Sequence, residues 1–220
     1  VLKLYTGREF IVGRAEEKNS DMKRTVWVSW QERRVSFRDR DVEKKSNKLD
    51  QKRIAFGVCG GIGSVEVVRI VRELRRHGAE VTVFITPGVT RFVGDLSLAW
   101  SSGRPVVSEL GAEVDGLENF DLVLIAPLTL NTLSKLSLGL CDNPVTMVAA
   151  SHLGKHRKCI LFPTMHDSLA NHPQFKEHLE KLQSWGAVVH SPVLEEGRMK
   201  MPSPEQVLTI ILENGTSIRN

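Results

Sequence analysis

The chain has 220 residues, 41% of them hydrophobic and 25% charged, which allows one large domain, or one domain with an appendage, and excludes a disordered or collagen-like chain. The formal net charge is +4, yet residues 1–50 hold 13 Lys and Arg against 9 Asp and Glu while the other 170 hold 17 of each, so the main body offers no basic face and nucleic acid is not expected as a partner. No apolar run approaches the roughly 18 residues of a membrane span, the first residues lack a secretory pattern, and three scattered cysteines, Cys59, Cys141 and Cys159, read as reduced thiols of a cytoplasmic protein rather than a disulfide framework or a zinc cage.

Residues 1–50 read as a basic, β-rich extension. Val26, Val28 and Trp30 alternate with polar neighbours, and Val35 and Phe37 repeat the pattern after a polar break. That period of two predicts a hairpin, with residues 10–12 as a third strand. About 50 residues make a meagre core, so the extension is expected to lean on the main domain or on another subunit, or to be partly disordered. Lys44, Lys45, Ser46, Asn47, Lys48 and Asp50 form a polar run expected to link it to a domain over residues 51–220.

From residue 52 strands alternate with helices. Residues 54–58 form a short apolar run ending in Cys59-Gly60-Gly61-Ile62-Gly63-Ser64; Val67, Val68, Val71 and Leu74 then share one helical face, and His77-Gly78 stops that helix. Residues 81–85 and 122–126 read as strands, the second closed by Pro127, and 131–140 as a helix. Residues 145–149 and 159–162 read as strands, 175–185 as a helix stopped by Gly186, 187–190 as a strand and 204–212 as a closing helix. Such alternation predicts an α/β fold: a Rossmann-like parallel sheet with helices on both faces and right-handed crossovers. Ligands of such sheets bind beyond the carboxyl ends of the strands.

Four strand ends carry residues capable of chemistry. At the first, Gly60 and Gly61 let the backbone approach a ligand, the helix start favours an anion, and Ser64 adds a hydroxyl. The turn fails the dinucleotide pattern Gly-x-Gly-x-x-Gly because residue 66 is Glu, and it lacks the Gly-Lys-Ser/Thr of a P-loop. A mononucleotide phosphate fits it better. At the second, Thr86 is placed to offer a hydroxyl to the same phosphate or to cap a turn. At the third, Thr129, Asn131 and Thr132 cap a helix, or the Asn131 amide reads a ligand amide or carboxylate. At the fourth, His166, Asp167 and His172 share a loop, but no cysteine or second clustered carboxylate completes a metal site. His172 precedes Pro173 and is expected to open a helix, whereas His166 is a candidate for proton exchange. No Gly-x-Ser-x-Gly elbow supports a hydrolase.

Taken in order, these segments resemble the flavin-containing cysteine decarboxylase family over roughly residues 52–213. Gly60-Gly61-Ile62-Gly63-Ser64 stands where that family has its flavin-phosphate loop. Thr86 with Phe92-Val93, Pro127-Leu128-Thr129-Leu130-Asn131-Thr132, the segment 139–146, the segment from Met165 to Pro173, and Gly197-Arg198-Met199 with Pro202 are similar to its further motifs. The resemblance implies an FMN-binding subunit that forms trimers or multiples of trimers. It implies that Gly60, Gly61, Ile62, Ser64, Thr86, Phe92 and Thr129 hold the cofactor, with Gly61, Ser64 and Thr86 at its phosphate. Asn131 would face the substrate, and Asp142 and Asn143 would shape the flavin or trimer contact.

The sequence also departs from the family. The decarboxylases carry a histidine after Pro-Val, but here Pro105-Val106-Val107 is followed by Ser108, and no histidine occurs between His77 and His152. The cysteine expected before Gly-Arg-Met is missing, and His166 replaces an asparagine. The leading expectation is therefore FMN-dependent redox or electron-transfer chemistry on a small-molecule substrate or electron partner. The alternative is a divergent decarboxylase of phosphopantothenoyl- or peptidyl-cysteine, in which His166 replaces the missing imidazole and Asn131 faces the substrate. A third is a non-catalytic flavin-fold subunit whose first 50 residues, with Trp27 and Trp30, dock a partner.

Overall fold

The computed structural model describes residues 41–111, 120–190, 193–195 and 198–215. The hairpin, the third strand and Trp27 and Trp30 of the extension lie outside the described residues.

The core is a five-stranded, all-parallel sheet in the order β2-β1-β3-β4-β5, formed by β1 (Arg53–Val58), β2 (Glu80–Ile85), β3 (Leu122–Leu128), β4 (Cys159–Pro163) and β5 (Val188–Val189). Alternation along the strands divides the core into two layers. Ile54, Phe56 and Val58 of β1 join Val81 and Val83 of β2 and Leu124 of β3 under α1 (Val67–Arg76), α2 (Asp95–Ser102) and α7 (Pro204–Gly215). Ala55, Val123, Ile125 and Leu161 face α3 (Leu130–Leu138), α4 (Pro144–Gly154) and α6 (Pro173–Ser184). The fold is the expected α/β, Rossmann-like sheet with helices on both faces. Gly78 and Gly186, at φ of +96° and +95°, stop α1 and α6 as read from the sequence.

Three elements differ from the sequence reading. Residues 145–149, expected as a strand, lie inside helix α4. Asn143 Oδ1 accepts from the N–H groups of Val145 and Thr146, Asn143 N–H donates to Thr146 Oγ1, and Pro144 occupies the first turn. This capping box fixes a helix start that an apolar run alone cannot distinguish from a strand. Pro127 does not close β3: the strand runs to Leu128 through a cis Ala126–Pro127 peptide, and its register against β4 shifts between Ile125 and Leu128. A bulge tolerates the missing donor of a proline. The polar run at residues 44–50 packs against the end of α1. Lys45 and Ser46 N–H groups donate to Arg76 O, Leu49 N–H donates to His77 O, and Leu49 is buried in the core. The last carbonyls of a helix need donors from outside it, and this segment supplies them.

The structure adds α2, the short helix α5 (Asp167–Ala170) and an antiparallel hairpin of β6 (Val193–Glu195) and β7 (Arg198–Lys200). No helix among the described residues is long and apolar enough to cross a membrane.

Two buried titratable groups make the fold sensitive to acid. Glu73 on α1 is buried, which would raise its pKa, but hydrogen bonds from Lys45, Arg76 and His77 outweigh that and bring it to about 2. Burial foremost, and then the Arg157 charge, lower His152 on α4 from 6.5 to about 4. The native states hold Glu73 charged and His152 neutral. The stability from His152 is complete above pH 6.5 and is lost as pH falls towards 4; that from Glu73 is complete above 4.5 and is lost towards 2. The melting temperature is expected to fall steadily on acidification from pH 7 to 4, and His152→Phe to flatten that slope. A melting temperature unchanged over this range would contradict it.

Candidate functional site

The sheet order places a topological switch between β1 and β3, since the chain leaves β1 for β2 on one side and returns to β3 on the other. Crevices at such points receive ligands. Beyond β1, Cys59 N–H donates to Pro127 O at 3.2 Å and Gly60 N–H donates to Thr86 Oγ1 at 3.1 Å. The loop after β1 is thus joined by hydrogen bonds to the end of β3 and to the loop after β2. A Cβ on Gly60 would lie 2.7 Å from the Gly88 carbonyl carbon and 2.9 Å from Gly88 Cα, so these loops approach more closely than any side chain allows.

The β1 loop continues into a 3₁₀ turn, Ile62–Glu66, which feeds α1. Ser64 is wholly buried in this turn, and its Oγ finds no hydrogen-bond partner among the described residues. A buried hydroxyl left without a partner costs roughly 1–3 kcal/mol, and such a group calls for a ligand atom that the described residues do not supply. Gly61 is extended and open; a Cβ there would have Thr129 Cγ2 as its nearest neighbour, at 3.9 Å. Thr129 caps α3, its Oγ1 accepting from Thr132 N–H. The 3₁₀ turn and the start of α3 therefore meet at the ends of β1 and β3, and because the first N–H groups of a helix have no partner within it, the arrangement suits an anion.

Below the turn, Cys59 is fully buried. Burial raises its thiol pKa against hydrogen bonds to Thr132 and Thr129, and Cys159 in the core is pushed up to about 12. Neither is a nucleophile at neutral pH.

Gly60, Gly61, Ser64, Thr86 and Thr129 come together at the ends of β1, β2 and β3. Asn131 lies exposed on the first turn of α3. Ile62 is 67% exposed and Phe92 is exposed on the loop that follows β2. Asp142 and Asn143 sit at the start of α4: Asp142 pairs with Lys135, whose hydrogen bond holds the carboxyl below its ordinary range, and Asn143 is taken up by the cap. His166 is exposed and caps α5, with Nδ1 accepting from Ser168 N–H at 3.4 Å. With Nδ1 accepting, Nε2 is the ring's donor. His172 caps α6 as expected. Sequence reasoning missed Gly88, Thr164 and Met201. Thr164 and Met201 pack on Gly63 from distant parts of the chain, a contact with no local signal in the sequence.

The Flavoprotein family model matches residues 42–215. Among curated relatives, the coenzyme A biosynthesis bifunctional protein CoaBC of Thermococcus kodakarensis is 36% identical over 171 residues, covering 74% of this chain and 42% of the relative. The CoaBC of Methanocaldococcus jannaschii is 32% identical over 173 residues, covering 77% of this chain and 42% of the relative. The chain thus spans about two fifths of the length of these relatives. Among solved structures, the FMN-dependent cysteine decarboxylase TvaF from thioviridamide biosynthesis superposes with a TM-score of 0.64 at 26% identity, covering 76% of this chain and 99% of that one.

Proposed function

This chain belongs to the Flavoprotein family, and from that membership and the geometry of the β1 and β2 loops we propose that it binds FMN and decarboxylates a cysteine-derived carboxylate. The carrying observation is the buried, unpartnered Ser64 hydroxyl in a glycine turn tied to Thr86. Ser64, the backbone of Gly60 to Ser64, and Thr86 would hold the phosphate end, with Thr129 beside the opening. When bound, FMN supplies two-electron redox chemistry that no side chain can. Asn131 would orient the substrate through its amide, and His166 would donate a hydrogen bond from Nε2. The decarboxylase reading draws support from the CoaBC relatives and from the likeness to the cysteine decarboxylase TvaF, and it displaces plain electron transfer as the leading one. The exposed Ile62, Leu138 and Leu140 support a homo-oligomer, a trimer on the family resemblance.

The test is direct. Purified chain reconstituted with FMN is expected to hold about one flavin per chain and to release carbon dioxide from phosphopantothenoylcysteine or a peptide ending in cysteine. Protein that takes up no FMN overturns the reading. Flavin-loaded protein that releases no carbon dioxide but passes electrons to an acceptor would favour the second reading, redox chemistry alone. That reading rests on the lack of any histidine between His77 and His152.

A further inference from the structure

The turn that carries Ser64 is held from a second side. A Cβ built on Gly63 would lie 2.8 Å from Met201 Cγ, 3.3 Å from Thr164 Cγ2 and 3.5 Å from Pro127 Cβ. The space a side chain would need is therefore already filled, chiefly by Met201. Met201 is held in turn: its Sδ lies 3.4 Å from Thr164 Oγ1, whose one proton it shares with Phe162 O at 3.2 Å, and Met199 N–H donates to Met165 O at 2.9 Å, tying β7 to the loop after β4. Thr164 N–H donates to Leu128 O at 3.0 Å. An unbranched, polarizable thioether suits such an irregular gap. The turn is gripped at Gly60 by Thr86 and Gly88, and at Gly63 by Met201 and Thr164.

We infer that Met201 is a positioning residue: docked on Gly63 and Thr164, it holds the Ile62–Glu66 turn in the shape that presents Ser64, and so couples the placement of the β6–β7 hairpin to affinity for the cofactor phosphate. The inference rests on the FMN reading above. Met201 acts through the turn, so its effect is confined to the phosphate end of the ligand. Riboflavin, which has the same ring system and no phosphate, isolates that end.

Dissociation constants for FMN and riboflavin, read by flavin fluorescence quenching, are compared in the wild type, Met201→Ala, Met201→Leu, Gly63→Ala and the Gly63→Ala/Met201→Ala double variant, with a thermal melt of each. Met201→Ala is expected to weaken FMN about tenfold and leave riboflavin within about twofold, while Met201→Leu, which keeps the bulk, stays near wild type. Gly63→Ala is expected to weaken FMN by about as much. The double variant should lose far less than the product of the two, because removing the Met201 side chain makes room for the new methyl group. Additive losses, or an unchanged FMN-to-riboflavin ratio in Met201→Ala, overturn the inference while leaving FMN binding intact. If Met201→Ala does not fold, Gly63→Ala and Met201→Leu decide: a Gly63→Ala chain with the wild-type ratio overturns it. Wild-type protein that binds no FMN overturns the FMN reading and this inference with it.

Discussion

A Gly60→Ala chain is expected to lose FMN affinity by a hundredfold or more while remaining folded. The added methyl group would sit 2.7 Å from the Gly88 carbonyl carbon and 2.9 Å from both Gly88 Cα and O. All three are backbone atoms, which cannot rotate away as a side chain would. The β1 and β2 loops must part, and the Gly60 N–H to Thr86 Oγ1 hydrogen bond at 3.1 Å breaks with them. Hydrogen bonds to a charged group contribute about 1.5–3 kcal/mol each. Losing the alignment of one or two of them accounts for a hundredfold, since each factor of ten is about 1.4 kcal/mol. Gly94→Ala serves as the control: nothing lies within 4 Å of its Cβ position, and wild-type affinity is expected. Fluorescence titration with parallel melts reads both, and a Gly60→Ala chain with wild-type affinity would refute the close approach of the loops as the basis of binding.

Gly57→Val is expected to be the most damaging change to the fold. Gly57 lies buried in β1 where α4 crosses it, and a Cβ there would be 2.8 Å from Val145 Cγ1 and 3.2 Å from Ile125 Cγ1. Overpacking usually costs about 1–3 kcal/mol, and two further methyl groups in this contact put the expected loss at the upper end or beyond. For a domain of this size each kcal/mol moves the melting temperature by about 2–4 °C, so a drop of roughly 10 °C is expected. Gly57→Ala paired with Val145→Ala should be more stable than the sum of the single changes implies, because the second change removes the atom that the first one meets. Strict additivity would contradict the packing of residues 144–154 as a helix across β1.

That helix marks where the sequence ceased to be legible. Strands β1 to β4 were readable because continuous apolar runs bounded by Gly, Pro or polar turns have few other uses in a parallel sheet. Val145 to Ala149 presents the same kind of run, but Pro144, Val145, Thr146, Val148, Ala149 and His152 are all buried. A helix covered on most sides loses its 3.6 periodicity and imitates a strand. The signal that separates them, Asn143 with Thr146 three positions on, was present and local. In α2 the alternation of Leu96, Leu98 and Trp100 imitates a strand's period of two, while the structure buries Leu98, leaves Leu96 exposed and covers Trp100 with the Arg72 guanidinium at 4.0 Å.

The candidate site was legible where its parts lie on neighbouring strands. The Gly60 to Thr86 link follows from the adjacency of β1 and β2, which the alternation of elements implied. The closeness of Gly88, the isolation of the Ser64 hydroxyl and the clamp by Met201 depend on backbone paths that no local pattern encodes. His166 takes a role that no local pattern announced: its loop neighbour His172 reads as a helix opener, and the structure gives both rings that same task.

The most direct test is a crystal structure of the chain with FMN bound. A phosphate oxygen is expected within about 3.2 Å of Ser64 Oγ, with the remaining contacts made by the loops that follow β1 and β2. A flavin whose phosphate lies elsewhere, with the Ser64 hydroxyl still unpartnered, would contradict the assignment of these loops as the cofactor's phosphate site.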